Sequence, residues 1–368
     1  MDNIKGVVVL AWKWLTRPAI GKAGLLLITG GLALLNPPLL VEIANLILSR
    51  LINSSLSPMN AQPLFGGVLI TVGLLLVLTG YFGSRRSKPS EVIGIRHQSL
   101  GSFPKEAIKG DLPLLQCIRH YRELDVNHSD SYTNGVLTDQ LSLIRRMNKV
   151  PVELDSLAGA DSDTPIAYYG LAHIPIAFYL GFLLADSKYN IQLYDLNNDS
   201  GRWNQLSGVT ASLAINNTKN LLNATEAVGD IILSIGISYP VAQIEIEALN
   251  LPNVLGFIQI NAAFPRRQLV SSHAHIEQIC TEFKAALEHI KNCCPNRQRI
   301  HLFYAGPVSL CFALGRCLSE RIDSEIVVYN YSVKEQPKYS WSLSLNGSAN
   351  SIIVFNHSSE KGSSHVTV

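Results

Sequence analysis

The sequence predicts an α/β protein: paired, alternating strand–helix units carried behind an N-terminal two-helix transmembrane hairpin. Three observations predict it. The run Arg299–Tyr331 reads as strand, turn, helix, strand. A second run, Pro165–Asn197, repeats that order earlier in the chain. Two long stretches within the first 85 residues carry almost no charge.

In the first of these runs, Ile300 to Tyr304 mixes β-branched and aromatic residues, the composition of a buried strand. Ala305-Gly306-Pro307 breaks it, and Pro307 suits the first position of a helix. Cys311, Leu314, Leu318 and Ile322 then recur at helical spacing, and Ile326–Tyr329 forms a second apolar run. A βαβ unit with a parallel pair follows, and such units bind ligands at the carboxyl ends of their strands.

The earlier run gives a strand at Ile166–Tyr169, a turn at Gly170–His173, a helix from about Ile174 to Asp186 and a strand at Ile191–Tyr194. Ala177–Gly181 (AFYLG) matches Cys311–Gly315 (CFALG), an offset of 134 from Ala177 to Cys311. Ile191–Asp195 (IQLYD) matches Ile326–Asn330 (IVVYN), an offset of 135 from Ile191 to Ile326. A tryptophan follows in each half, Trp203 and Trp341. The repetition reads as an internal duplication. Its recurring Gly181 and Gly315 suit helices lying close on a sheet, at a propensity cost of about 1 kcal/mol each.

Between and before these units, Val92–Arg96, Ile231–Ser238 and Val254–Ile260 read as strands, and about Leu137–Lys149 and Ser272–Lys291 as helices. Alternation of this kind means mostly parallel sheets with helices on their faces. Two halves packed about a pseudo-twofold axis would gather their strand ends around one shared pocket.

Among 368 residues the net charge is +2 and the pI about 8.2, which argues against a nucleic-acid polymer as partner. None of the six cysteines forms a C-x-x-C pair or sits at zinc-ligand spacing with a histidine, so reduced thiols and no metal are expected. Mean hydropathy is nevertheless +0.18, and the N-terminal region carries the excess. Residues 1–22 read as an interfacial amphipathic segment with Trp12 and Trp14. Residues 23–83 read as the hairpin, with spans at Ala23–Val41 and Pro63–Gly83. About 21 residues at about 1.5 Å each cover roughly 30 Å of hydrocarbon. Lys5, Lys13, Arg17 and Lys22 precede the first span, and Arg85, Arg86 and Lys88 follow the second. The positive-inside rule therefore puts both termini of this multi-pass chain in the cytoplasm. The spans hold no Asp, Glu, His, Lys or Arg, unlike those of pumps and carriers.

The two matched stretches, AHIPIAFYLGFLL…IQLYD…RW and HLFYAGPVSLCFALGR…VVYNYS, together resemble a SAVED domain, a fusion of two CARF-like Rossmann-type units. The resemblance covers most of residues 84–368, best from about Pro165 to Leu345, with halves at about 89–240 and 241–345 and a polar C-terminal tail. It implies the ligand sensor of a CBASS anti-phage effector. With the hairpin ahead of it, the chain resembles the two-span transmembrane type. The ligand implied is a cyclic dinucleotide or trinucleotide made by a partner nucleotidyltransferase, with no other cofactor. Also implied are homo-oligomerisation on ligand binding, disruption of the lipid bilayer and abortive infection, without enzymatic activity. Two alternatives stand beside it: a membrane-tethered nucleotide hydrolase resembling a ring nuclease, and a CRISPR-type cyclic oligoadenylate binding module.

Such a ligand needs amide or cationic donors for its phosphates and aromatic faces for its bases. The strand-to-helix turns at Gly170–Ile174 and Ala305–Val308 offer helix N-termini. His173 and Pro307 belong to those turns. Tyr169 and Tyr304 end the preceding strands and point either to the pocket or to the core. Arg202 beside Trp203 suits a phosphate and a base, or Trp203 anchors the core. Ser234, Phe264, Arg266 and Arg267 follow strands of the middle section, and Tyr331 closes the ligand-binding set. His273-Ala274-His275 lacks a third ligand nearby and reads as exposed.

Overall fold

The computed structural model describes residues 27, 66–78, 91–112, 120–133, 136–159, 164–185, 189–208, 210–221, 226–318, 324–345, 351–354 and 364–367. The chain forms two compact units, Met1–Ser90 and Glu91–Val368. In the first, residues 66–78 are α-helical. Val68, Val72, Leu74, Leu75 and Leu78 of this helix are exposed. Among the described residues no helix is long and apolar enough to cross a membrane. The expected interfacial segment and, apart from residue 27, the first span lie outside the described residues, as do both ends of the second span.

The second unit carries the alternation read from the sequence. It runs β1 (Glu91–Gln98), β2 (His120–Asn127), β3 (Tyr132–Thr133), β4 (Val136–Leu137), α1 (Gln140–Ala158), β5 (Ile166–Leu171), α2 (Ile174–Leu183), β6 (Ile191–Asn197) and β7 (Arg202–Gln205). It continues with β8 (Ile215–Leu221), β9 (Gly229–Gly236), α3 (Gln243–Glu247), β10 (Val254–Ala262), α4 (His273–Cys293), β11 (Arg297–Ala305), α5 (Val308–Gly315), β12 (Glu325–Tyr331) and β13 (Tyr339–Leu345). Strands β14 (Ser351–Val354) and β15 (Ser364–Thr367) follow.

The first sheet is ordered β2-β1-β5-β6-β7, and the second contains β10-β9-β11-β12-β13 in the same sequence of roles. In each set four strands are parallel and the last is antiparallel. The duplication is therefore complete, with α1 and α2 corresponding to α4 and α5. Strand β8 pairs antiparallel with β10 at one edge, and β14 and β15 extend the other. Two sequence expectations change. The boundary between halves falls between β7 and β8, near residues 206–214 rather than 240, because β8 and β9 bond into the second sheet. The C-terminal tail expected to be merely polar contributes two strands to that sheet.

Several local signals explain the elements. Asp139 and Ser272 accept hydrogen bonds from the Ser142 and His275 amides and so cap α1 and α4. Helix α1 runs past Lys149 and through Pro151, against the expectation that it stops there. Its buried stripe (Leu143, Ile144, Met147, Val150, Leu154, Ala158) holds the helix although the proline removes one N–H. Glu123 pairs with buried Arg96 at 3.1 Å, and Asp125, itself exposed, pairs with it at 2.9 Å.

One core joins the two halves. It takes the inner faces of both sheets and the helices between them. Helix α2 lies against β12 and β13 of the second half, and α5 against β5 and β6 of the first. The two helices cross at their glycines. A Cβ on Gly181 would overlap the Phe312 carbonyl, and one on Gly315 would overlap the Phe178 carbonyl. The recurring glycines thus serve helix–helix approach rather than helix–sheet approach. Tyr168 of β5 stacks on Phe312 of α5 at 3.9 Å between ring centroids.

Gly315→Ala is expected to lower the thermal unfolding midpoint by several degrees in a calorimetric scan. The overlap costs about 1–3 kcal/mol, which exceeds the roughly 1 kcal/mol that alanine gains in helix propensity. Gly110→Ala, where an added Cβ meets nothing within 4 Å, is expected to leave the midpoint near that of the parent.

A cavity shared by both halves

The crossing of α2 and α5 sets the strand ends of the two halves side by side. A cavity of about 610 Å³ opens there. From the first half it takes Gly170 and Leu171 at the end of β5, Asp195 to Asn198 at the end of β6, and Asn204 and Leu206 at β7. From the second it takes Ser238 and Tyr239 after β9, Arg267, Gln268, Val270 and Ser271 after β10, and Gly306, Pro307 and Val308 at the start of α5. Pro307 is the N-cap of α5 rather than its first helical residue. The hydroxyl of Tyr304 donates to the Pro307 carbonyl at 2.8 Å and holds this turn.

The lining is mostly neutral and polar, with one cation and one carboxylate. Arg267 donates from Nε to the Tyr239 hydroxyl and lies 5.7 Å from that ring's centroid. Gln268, at φ 56°, donates from Nε2 to Asn197 Oδ1 at 3.2 Å, bridging the two halves. Asp195 lies near Ser309 in the first turn of α5. Burial pushes its carboxyl up to about 6, and the Ser309 contacts hold it partly back. Chemically the cavity offers amide and guanidinium donors to an anion and the Tyr239 ring to a flat group.

Of the residues expected to bind ligand, Pro307 and Arg267 line the cavity. Tyr169 is fully buried on the outer face of the first sheet, bonded to Glu123 and to Tyr121. Trp203 packs on that face too, 5.1 Å from the Tyr169 ring and 5.2 Å from Phe103. Arg202 is exposed beside Asp111 at 3.5 Å. Tyr304 is core and shapes the turn. Ser234 borders a separate cavity of about 310 Å³ on the outer face of the second sheet. Phe264 is 82% exposed and Arg266 is exposed, both outside the cavity lining. Tyr331 donates to Glu245 Oε1 at 3.1 Å, away from the cavity. His173 is buried and outside the lining. His275, expected to be exposed, is buried among Thr210, Ser272 and the Ala211 carbonyl. Asp195, Asn197, Asn204, Tyr239 and Gln268 were missed. Only strand-end position marked them, since none belongs to a motif.

His173 belongs to the position that the pseudo-twofold relates to the cavity. It caps α2 as Pro307 caps α5. Its ring stacks on Tyr132 at 4.3 Å and lies 6.0 Å from Trp341. Asp195 pairs with Asn204 as Asn330 pairs with Trp341, so Trp341 corresponds to Asn204 and not to Trp203. The two tryptophans lie on opposite sheet faces: Trp203 on the outer one, Trp341 in the shared core.

Residues 153–345 match the model of the SAVED family, described as the SMODS-associated and fused to various effectors sensor domain. The chain belongs to the SAVED family. Among solved structures it is similar to the Cap4 SAVED/CARF-domain containing receptor of Acinetobacter baumannii, solved with the cyclic trinucleotide 2'3'3'-cAAA, at 15% identity and a TM-score of 0.47. That alignment covers 79% of this chain and 62% of the receptor. The Moraxella osloensis Cap4 SAVED/CARF-domain containing receptor aligns at 15% identity and a TM-score of 0.41, covering 78% and 61%. The chain thus spans under two thirds of the length of these receptors. No curated protein matches it in sequence.

Burial holds His173 and two other histidines of the first half neutral: His173 is lowered to about 4, His128 to about 3, and His97 well below the ordinary value. In the unfolded chain each would bind a proton below about pH 6.5. Their contribution to stability is therefore complete above pH 6.5 and is lost as pH falls towards 4. Asp195, raised to about 6, acts with the opposite sign between 6 and 4 but is a single group. The thermal midpoint is expected to drop as pH falls from 7 to 4. In His173→Gln that slope is expected to be shallower, as read by scanning fluorimetry across a pH series.

Proposed function

We propose that this chain is a cyclic-oligonucleotide-sensing membrane effector of CBASS anti-phage defence. The observation that carries the sensor part is the cavity at the strand ends of both halves of a SAVED-family chain. Its size falls in the range of about 300–1,000 Å³ usual for small-molecule sites. Its donors suit phosphates: Arg267, the amide side chains of Asn197, Asn204 and Gln268, and the N-terminus of α5. Tyr239, already partnered by Arg267, presents a ring for a base. The ligand is a cyclic di- or trinucleotide supplied by a nucleotidyltransferase, and it is bound without catalysis.

The membrane part is supported by sequence: two apolar stretches within 23–83, flanked by cations on their outer sides. The exposed apolar side chains of helix 66–78 suit lipid or neighbouring helices. Ligand binding gathers copies of the chain, the clustered hairpins disrupt the inner membrane, and the infected cell dies. Both termini stay cytoplasmic.

Titrating the detergent-solubilised full chain with a panel of cyclic di- and trinucleotides tests the sensor. Binding of at least one member is expected, and no binding across the panel would overturn the reading. Arg267→Ala is expected to weaken that binding by about 10- to 100-fold, the worth of a charge-assisted hydrogen bond. Arg266→Ala is expected to change it less than about twofold, in the range of a screened surface charge. Mass spectrometry should recover the ligand intact; cleaved ligand would mean a hydrolase instead. Deleting residues 23–83 should abolish ligand-induced growth arrest, and arrest that persisted would refute the membrane step.

A further inference from the structure

The two halves repeat each other strand for strand, yet among the described residues the two positions related by the pseudo-twofold differ: one is the open cavity, and the other, closed one is packed with rings. Three of the elements that line the open cavity are the loop between β10 and α4, the N-cap of α5, and strand β7. They supply Gln268 and Arg267, Pro307, and Asn204. The corresponding elements at the other position are the loop between β2 and α1, the N-cap of α2, and strand β13. They supply Tyr132, His173 and Trp341.

At these three places a small or polar group on the open side is replaced by an aromatic ring on the closed side, whereas Asp195 keeps a polar counterpart in Asn330. The three rings touch one another. Tyr132 and His173 stack at 4.3 Å with 10° between planes, and Trp341 lies 6.5 and 6.0 Å from them. Trp341 is 3% exposed, and His173 is held by Ser99, whose Oγ lies 2.8 Å from Nδ1. The Tyr132 hydroxyl is buried without a hydrogen-bond partner. A hydroxyl left so costs about 1–3 kcal/mol, so hydrogen bonding does not account for a tyrosine there. Its ring does, by filling space against His173.

We propose that Tyr132, His173 and Trp341 fill a second nucleotide site, the pseudo-twofold mate of the open cavity, and thereby hold the sensor to one ligand per chain. This rests on the open cavity being the ligand site. The stack occupies the mate with flat rings, as nucleobases would occupy it, and the specificity it sets is one of stoichiometry and ring size. A ligand too large for one cavity is refused because the space beside the axis is already taken. Trp341→Asn installs the residue that the open side carries at Asn204. Tyr132→Ala removes the ring that is half-buried and has no polar partner.

Isothermal titration of the full chain with cyclic di-AMP, cyclic GMP–AMP and cyclic tri-AMP decides the matter. The parent is expected to bind one ligand per chain, and Trp341→Asn and Tyr132→Ala are expected to bind two. Combining Trp341→Asn with Arg267→Ala should leave binding at the mate alone. Trp341→Gly, scanned with and without free indole, shows whether the emptied space is an intact cavity: indole should raise its thermal midpoint and leave the parent's unchanged. If the parent binds one ligand and both single variants still bind one, the inference is overturned while the open-cavity reading stands. Should Trp341→Asn fail to fold, the stoichiometry of Tyr132→Ala decides alone. If the parent binds no member of the panel, the open-cavity reading fails and this inference falls with it.

Discussion

The contact on which the sensor unit depends is the crossing of α2 and α5 at Gly181 and Gly315. Each glycine lies against a carbonyl of the opposite helix, Gly181 against Phe312 and Gly315 against Phe178. No side chain fits between backbones at that separation. The approach fixes how far apart the two sheets stand and carries each helix onto the other half's strands. Pro307 and His173, the caps of these helices, are placed by the same crossing. The cavity and its closed mate are therefore consequences of two missing methyl groups.

Duplication gives the unit two equivalent positions, and side-chain chemistry makes them differ. Asp195 at the open position corresponds to Asn330, and Asn204 to Trp341. One side keeps polar groups and a carboxyl with a raised pKa; the other has become part of the core. The outer faces diverge as well. The first half pairs buried Arg96 with Glu123 and Asp125, and the second buries a chain of Asp230, His301 and Tyr329. These networks satisfy polar groups on the faces away from the cavity and leave the strand ends free to differ.

The fold was legible because βαβ units announce themselves by composition and period. Ile166–Tyr169 and Ile300–Tyr304 are apolar runs ended by turn residues, and both became strands of the expected kind. The correspondence of β1 with β9 and of β2 with β10 was not legible, since only backbone order preserves it. The site was harder for one physical reason: side chains alternate faces along a strand. Tyr169 and Trp203 lie at the right ends of the right strands but on the wrong face, while Asn204, next to Trp203, reaches the cavity. Arg266 and Arg267 differ in the same way across a loop, and pairing of Arg267 with Tyr239, 28 residues away, decides which one turns in. Sequence neighbours cannot be ranked without that partner.

The exchange of helices between halves has a mechanical consequence. Because α2 and α5 each seat on the opposite sheet within one continuous core, the halves cannot part like a clamshell without exposing that core to water. Entry to the cavity is therefore a matter for its rim. The segment from residue 263 to 272, with exposed Phe264 and Arg266, covers part of that rim and is bonded across to Asn197 by a left-handed Gln268. The rim can shift along that strip without opening the continuous core behind it.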